Sequence, residues 1–172
     1  INYTPVVNSP PTTTGSVDWT RIINAGISAG PNTGSGTITE LLTNTTGSMI
    51  PVTYILTLPP ATPQGCTATE TFVVNVNPAP IASISGGGDT CLNSTDNLVT
   101  FTGSSGTAPY TFTYTIDTDP TLYTITTAPG NNSVRLASSS STVGSFNYDL
   151  VNVEDSNGCE QLQSGTVSIN VI

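Results

Sequence analysis

The chain has 172 residues, a net charge of −9 and only 8% charged residues, against about a quarter in ordinary soluble domains. Its two cations are Arg21 and Arg135, and it contains neither Lys nor His. That excludes nucleic-acid binding, which needs Lys and Arg against phosphates, and docking on an anionic membrane surface.

No apolar run approaches the 18 residues of a membrane-spanning helix, so no direct membrane insertion is expected. Thr and Ser make up about 30% of the chain, well above average usage. Apolar residues, mostly β-branched, still reach 35%, so the composition is not that of a disordered segment. It reads as a β-rich protein whose wet faces carry hydroxyls. No signal peptide begins at Ile1, so the sequence reads as a mature or excised piece of something longer. Cysteines in such a setting suggest an oxidising, extracellular location.

Period-two alternation recurs in chain order. Val52–Leu58 (VTYILTL) puts Val52, Tyr54, Leu56 and Leu58 on one face, and TFVVNVN follows it. Tyr110–Ile116 (YTFTYTI) alternates aromatic residues with Thr. Ser145–Val153 (SFNYDLVNV) aligns Phe146, Tyr148 and Leu150, and GTVSINVI closes the chain. These are half-buried strands. Pro10-Pro11, Pro31-Asn32, Ala128-Pro129-Gly130-Asn131 and Ser156-Asn157-Gly158 punctuate them as turns. Short strands at this spacing predict a sandwich.

A displacement of 93 positions superposes the halves. Cys66 falls on Cys159, Trp19 on Phe112, Val6 on Val99 and Asn77 on Asn170, with Tyr54 one residue from Tyr148. The expectation is two tandem modules, 1–78 and 79–172, in an elongated arrangement, joined at the stiff Asn77-Pro78-Ala79-Pro80 connector.

The stretches SGTITELLTNTTGSMIPVTYILTL, GTAPYTFTYTI and EDSNGC carry a resemblance. They are similar to the PKD-like and immunoglobulin-like repeats of giant surface adhesins of gliding Bacteroidetes, and the likeness covers nearly the whole chain. It implies an all-β fold of two tandem immunoglobulin-like (PKD-like) β-sandwiches. It further implies a stalk or adhesive segment of a gliding-motility adhesin, exported by type 9 secretion to the extracellular cell surface. The implied partners are neighbouring repeats of the same chain, surface polysaccharide or other surface proteins, and no active site is implied.

Within the second module Cys91 and Cys159 are the available pair, which favours a disulfide; two free, buried thiols are the other reading. Closing a loop of almost 70 residues would stabilise the unfolded-to-folded step by about 4 kcal/mol on the chain-entropy model. The 93-residue displacement carries Cys91 to a position upstream of Ile1. Cys66 is therefore expected to be unpaired here, its partner and a first strand lying before INYTPVV, itself the second strand of its module.

Without His, the usual serine and cysteine triads and His-ligated zinc cannot form. Without Lys there is no P-loop, Schiff base or Lys–Asn isopeptide crosslink. Gly86-Gly87-Gly88 has no phosphate-binding context and reads as a structural loop. Asp117 and Asp119, or Glu154 with Asp155, could offer oxygens to calcium; the simpler reading is that Asp117, Asp119 and Asp155 hold turns. No setting for a glycosidase carboxylate pair is visible, and the Cys-to-Gln spacing of GCEQ is one residue short of a thioester motif. Trp19, Tyr110, Phe112 and Tyr114 would form a sugar-stacking platform if exposed, which makes a carbohydrate-binding module the alternative function. Trp19 is better read as core. The sequons at Asn2, Asn44, Asn93 and Asn131 are expected by chance in a Thr-rich chain.

Overall fold

The computed structural model describes residues 2–3, 16–60, 66–95, 98–137 and 140–172. Among them the chain is all-β, and it divides into two compact units, Ile1–Asn77 and Pro78–Ile172.

The first unit contains β1 (Asn2–Tyr3), β2 (Asp18–Arg21), β3 (Ile27–Ser28), β4 (Thr33–Ser35), β5 (Ile38–Thr39), β6 (Thr43–Asn44), β7 (Ile50–Leu58) and β8 (Ala68–Val76). Its main sheet has the order β4-β2-β7-β8, and two short pairs, β1-β5 and β3-β6, complete it. In β7 the alternation works as the sequence predicts: Val52, Tyr54 and Leu56 are buried while the residues between them are not. Trp19 and Ile38 join them, and Phe72, Val74 and Val76 of β8 pack against this core half-covered. Tyr54 stacks on Phe72 at 5.0 Å between ring centroids, nearly parallel at 5°. Of the expected INYTPVV strand, Asn2–Tyr3 is described, paired antiparallel with Ile38–Thr39. Val6, the Pro10-Pro11 turn and Gln64-Gly65 lie outside the described residues.

The second unit contains β9 (Ile81–Gly86), β10 (Gly88–Thr90), β11 (Leu98–Ser104), β12 (Thr111–Ile116), β13 (Asp119–Thr126), β14 (Ser133–Ala137), β15 (Gly144–Glu154), β16 (Glu160–Leu162) and β17 (Thr166–Val171). One sheet runs β10-β17-β15-β12-β13, with β16 paired to β15; the other runs β14-β11-β9. Both sheets feed one core, in which Phe101 of β11 meets Phe112 and Tyr114 of β12 at 5.5 and 5.1 Å between centroids. This is a β-sandwich arrangement, the inner faces interdigitating to exclude water.

Gly86, Gly87 and Gly88 explain themselves here. All three have positive φ (104°, 82° and 110°), and between them the chain leaves the β9 sheet and joins the β17 sheet. A Cβ on Gly87 would collide with the Ser168 carbonyl oxygen. The triplet is a sheet-switching kink that only glycine makes without strain.

The main sheets of the units follow one plan, β4-β2-β7-β8 against β13-β12-β15-β17. Trp19, opposite Leu56, corresponds to Tyr114, opposite Leu150, and not to Phe112, which stands opposite Val153; the expected match is off by two residues. The displacement is not a constant 93. Tyr54 faces Phe72, and Tyr148 faces Val167, so the last strands match at 95, Val74 on Ile169 and Val76 on Val171. In β15 a bulge intervenes: Thr113 and Tyr114 pair with Asn152 and Leu150, leaving Val151 over. The extra residue shifts the pleat, and after Tyr148 and Leu150 the next buried position is Val153.

Candidate functional site

The expected Cys91–Cys159 disulfide is not formed: Cys66, Cys91 and Cys159 are all free thiols. The register gives the reason. Cys91 follows Thr90, which sits beside Val171, and Val171 lies opposite Gly144 at the start of β15. Cys159 adjoins Glu160, opposite Glu154 at the far end of the same strand. At about 3.3 Å per residue these ends are about 30 Å apart, whereas bridged Cα atoms lie within about 7 Å. Without that bridge as a template, the inference of an upstream partner for Cys66 loses its basis. Cys66 and Cys91 are exposed and Cys159 is half-buried; burial pushes the Cys159 thiol up, and the nearby Asp155 charge adds to it.

Asp117, Asp119 and Asp155 do not converge. Asp117 and Asp119 belong to the β12–β13 turn, while Asp155 follows Glu154, which pairs with Thr111 at the opposite end of β12. That separation is about 20 Å, too far for one calcium shell. Asp117 accepts the Asn147 amide at 2.7 Å, and its own φ of 52° fits the turn. Asp119 accepts the Thr121 hydroxyl at 2.7 Å and its amide at 2.9 Å. Those bonds, the hydroxyl first, hold the Asp119 carboxyl below its usual range. Among the described residues no three His, Cys, Asp or Glu side chains come together.

Asp155 is the most heavily committed of the three, and it is 4% exposed. Its carboxylate accepts amides from Thr107 (2.9 Å), Asn157 (2.9 Å) and Cys159 (3.0 Å), and the Asn157 side-chain amide at 3.1 Å. Burial alone would raise its pKa; the bonds from Thr107, Cys159 and Asn157 outweigh it and hold the carboxyl low. With N–H donors converging on both oxygens, this carboxylate suits a turn and not a cation. The EDSNGC stretch is thus a knot tying the β15–β16 turn to the β11–β12 loop.

The first unit carries a second polar cluster that sequence reasoning missed. Arg21 (5% exposed) donates through Nε to both carboxylate oxygens of Glu40, at 3.2 and 3.3 Å, and through a terminal nitrogen to the Gly30 carbonyl at 3.1 Å. The Tyr54 hydroxyl donates to the same carboxylate at 2.5 Å. Burial, with Glu40 adding to it, pushes the Tyr54 phenol above the usual tyrosine range. Beside this cluster lies a cleft of 440 Å³ bounded by Trp19, Pro31, Thr33, Thr39, Glu40 and Leu41. Glu40 is the one titratable group among its lining residues, and both its oxygens are engaged. The cleft therefore offers apolar walls and hydroxyls, without a paired carboxylate or an activated nucleophile.

Trp19 lies in the core, as the sequence predicts, and the conditional aromatic platform is not exposed. Tyr110, Phe112 and Tyr114 are 2%, 0% and 5% exposed, which places them in the core and out of reach of a sugar ring. Burial pushes the Tyr110 and Tyr114 phenols up. Tyr123 is half-buried, stacked on Tyr114 at 5.7 Å.

No protein-family model matches the chain, and no curated protein matches it.

Proposed function

We infer that the chain is a structural segment of an extracellular surface protein: two consecutive immunoglobulin-like sandwiches serving as stalk or adhesive surface in attachment or gliding motility. Neighbouring repeats of the same chain, surface polysaccharide or other surface proteins are its partners. The observation that carries this reading is the common plan of the two main sheets, each with its own core, on either side of Asn77-Pro78-Ala79-Pro80.

In the second unit β14-β11-β9 faces β13-β12-β15-β17, with β10 running parallel to β17. That order corresponds to the immunoglobulin scheme of one sheet with the first strands and one with the C, F and G strands. Outward faces fit a stalk in water. Across the large sheet of the second unit they carry Asn170 with Asp89 (3.0 Å), Ser168 with Asn147 (2.6 Å) and Thr111 with Thr126 (3.0 Å). Such bonded polar ladders hold a sheet face without Lys or Arg.

Stretching the chain by its ends in single-molecule force spectroscopy tests the reading. The stalk reading expects two separate unfolding events, each releasing on the order of 300 Å of contour. A chain that extends without resistance is no stalk.

A further inference from the structure

Asn157-Gly158 is the one Asn-Gly pair in the chain, and it lies within the loop knot built on Asp155. In such a pair the asparagine side chain is open to attack by its own backbone. Glycine has no Cβ to block the approach, so its amide nitrogen can reach the asparagine Cγ. The turn itself calls for glycine here, since Gly158 has a φ of 73°. Both residues are exposed to solvent, which provides the water that the reaction consumes.

In the folded chain both nitrogens that the reaction uses are already bonded. The attacking nitrogen, the Gly158 amide, donates to the Asp155 carbonyl at 3.0 Å. The departing nitrogen, Nδ2 of Asn157, donates to the Thr107 hydroxyl at 2.9 Å and to the Asp155 carboxylate at 3.1 Å. The backbone is pinned on either side, because the Asn157 and Cys159 amides both donate to the other Asp155 oxygen. Attack also requires the Gly158 amide to lose its proton, and the adjacent Asp155 charge opposes a second negative charge. The closed knot therefore holds an intrinsically reactive pair inert.

We propose that Asn157-Gly158 is a latent deamidation site, guarded by the Asp155 knot, whose conversion prevents the knot from closing again. When the knot opens locally, hydroxide takes the Gly158 amide proton and the nitrogen attacks Asn157 Cγ. A new C–N bond forms, and Nδ2 leaves as ammonia after taking a proton from water, which closes a five-membered succinimide. Water then adds to either ring carbonyl and leaves aspartate or isoaspartate at position 157. One water enters, one ammonia departs, and nothing is oxidised or reduced. Either product has a carboxylate where Asn157 had N–H donors, so the bonds to Thr107 and Asp155 are lost. The new charge also stands against the Asp155 carboxylate, which is 4% exposed, and like charges that close repel. The conversion rate follows the population of the open knot, so Asp155 sets the chemical lifetime of the loop as well as its fastening.

The test incubates the whole chain in mildly alkaline buffer, native and in denaturant, and follows isoaspartate and the amide-to-acid mass gain at position 157 by peptide mapping. Conversion is expected to run at least tenfold slower in the native chain than in denaturant. Asp155→Ala is expected to raise the native rate at least tenfold. Should that variant not fold, Thr107→Val removes one bond to the departing nitrogen and makes the same test with a smaller rise. Asn157→Asp carries the product's charge, and its second unit is expected to melt roughly 4 °C or more below the parent. Asn157→Ala, which loses the bonds without adding a charge, should fall between them. Three results overturn the proposal: equal native and denatured rates, a native rate indifferent to both knot variants, and an Asn157→Asp protein that melts with the parent.

Discussion

The Asp155 carboxylate accepts the backbone amide of Thr107 at 2.9 Å, although 48 residues separate them. That bond makes a buried charge the fastener between two loops of the second unit. Each hydrogen bond to a charged group contributes about 1.5–3 kcal/mol, and leaving a buried donor without its partner costs about 1–3 kcal/mol. Asp155→Ala is expected to lower unfolding free energy by about 3 kcal/mol, measured by denaturant titration, with Asp155→Asn intermediate.

The same carboxylate gives stability a pH dependence. Its folded pKa lies below the unfolded value of about 3.9. The stabilisation is therefore present above that value and is lost as pH falls through the folded pKa. Denaturation midpoints should fall on acidification below about pH 4, and the fall should be shallower in Asp155→Asn. Identical acid limbs in the two proteins would contradict this.

Arg21 and Glu40 form a buried pair, 5% and 4% exposed in their side chains. Removing one partner strands the other charge. Arg21→Met and Glu40→Leu are each expected to cost about 3–5 kcal/mol, and the double variant less than the sum. A double-mutant cycle reads the difference; strict additivity would mean the contact carries no coupling.

Gly103 lies against the Tyr110 ring, where a Cβ would come within 2.6 Å of a ring carbon. Gly34 stands in the same way against the Trp19 indole. Alanine at either site overpacks a closed contact, and each is expected to lower stability by about 1–3 kcal/mol. Each loss should appear in the unfolding transition of its own unit.

With the thiols on distant ends of β15, the protein should bind three equivalents of a thiol reagent after denaturation without reductant. In the native state Cys91 should react faster than Cys159, whose thiol is part-buried and pushed up. Reductant should leave the melting temperature unchanged. A native peptide map joining Cys91 to Cys159 would refute the register.

The strands were legible because period-two alternation is local: Val52, Tyr54 and Leu56 announce their own shared face. The bulge at Val151 was not, since a single inserted residue reads as continued alternation until its partner strand is known. The disulfide failed for a related reason: counting thiols within a module says nothing about which end of a long strand each one occupies. Arg21, Glu40 and Tyr54 join across 19 and 14 residues, and neither spacing has a local signature. Whether Tyr110 faces inward or outward was not legible, because an alternating strand does not say which face turns to the core.

Separability of the two units is the central claim, and severing the connector tests it most directly. A protease site inserted between Asn77 and Pro78 should, once cut, yield two fragments. Each should keep its β-sheet circular dichroism and melt cooperatively at the temperature its unit shows in the intact chain. A fragment that loses cooperative melting on cutting, while its partner remains intact, would contradict the account of two independently cored units.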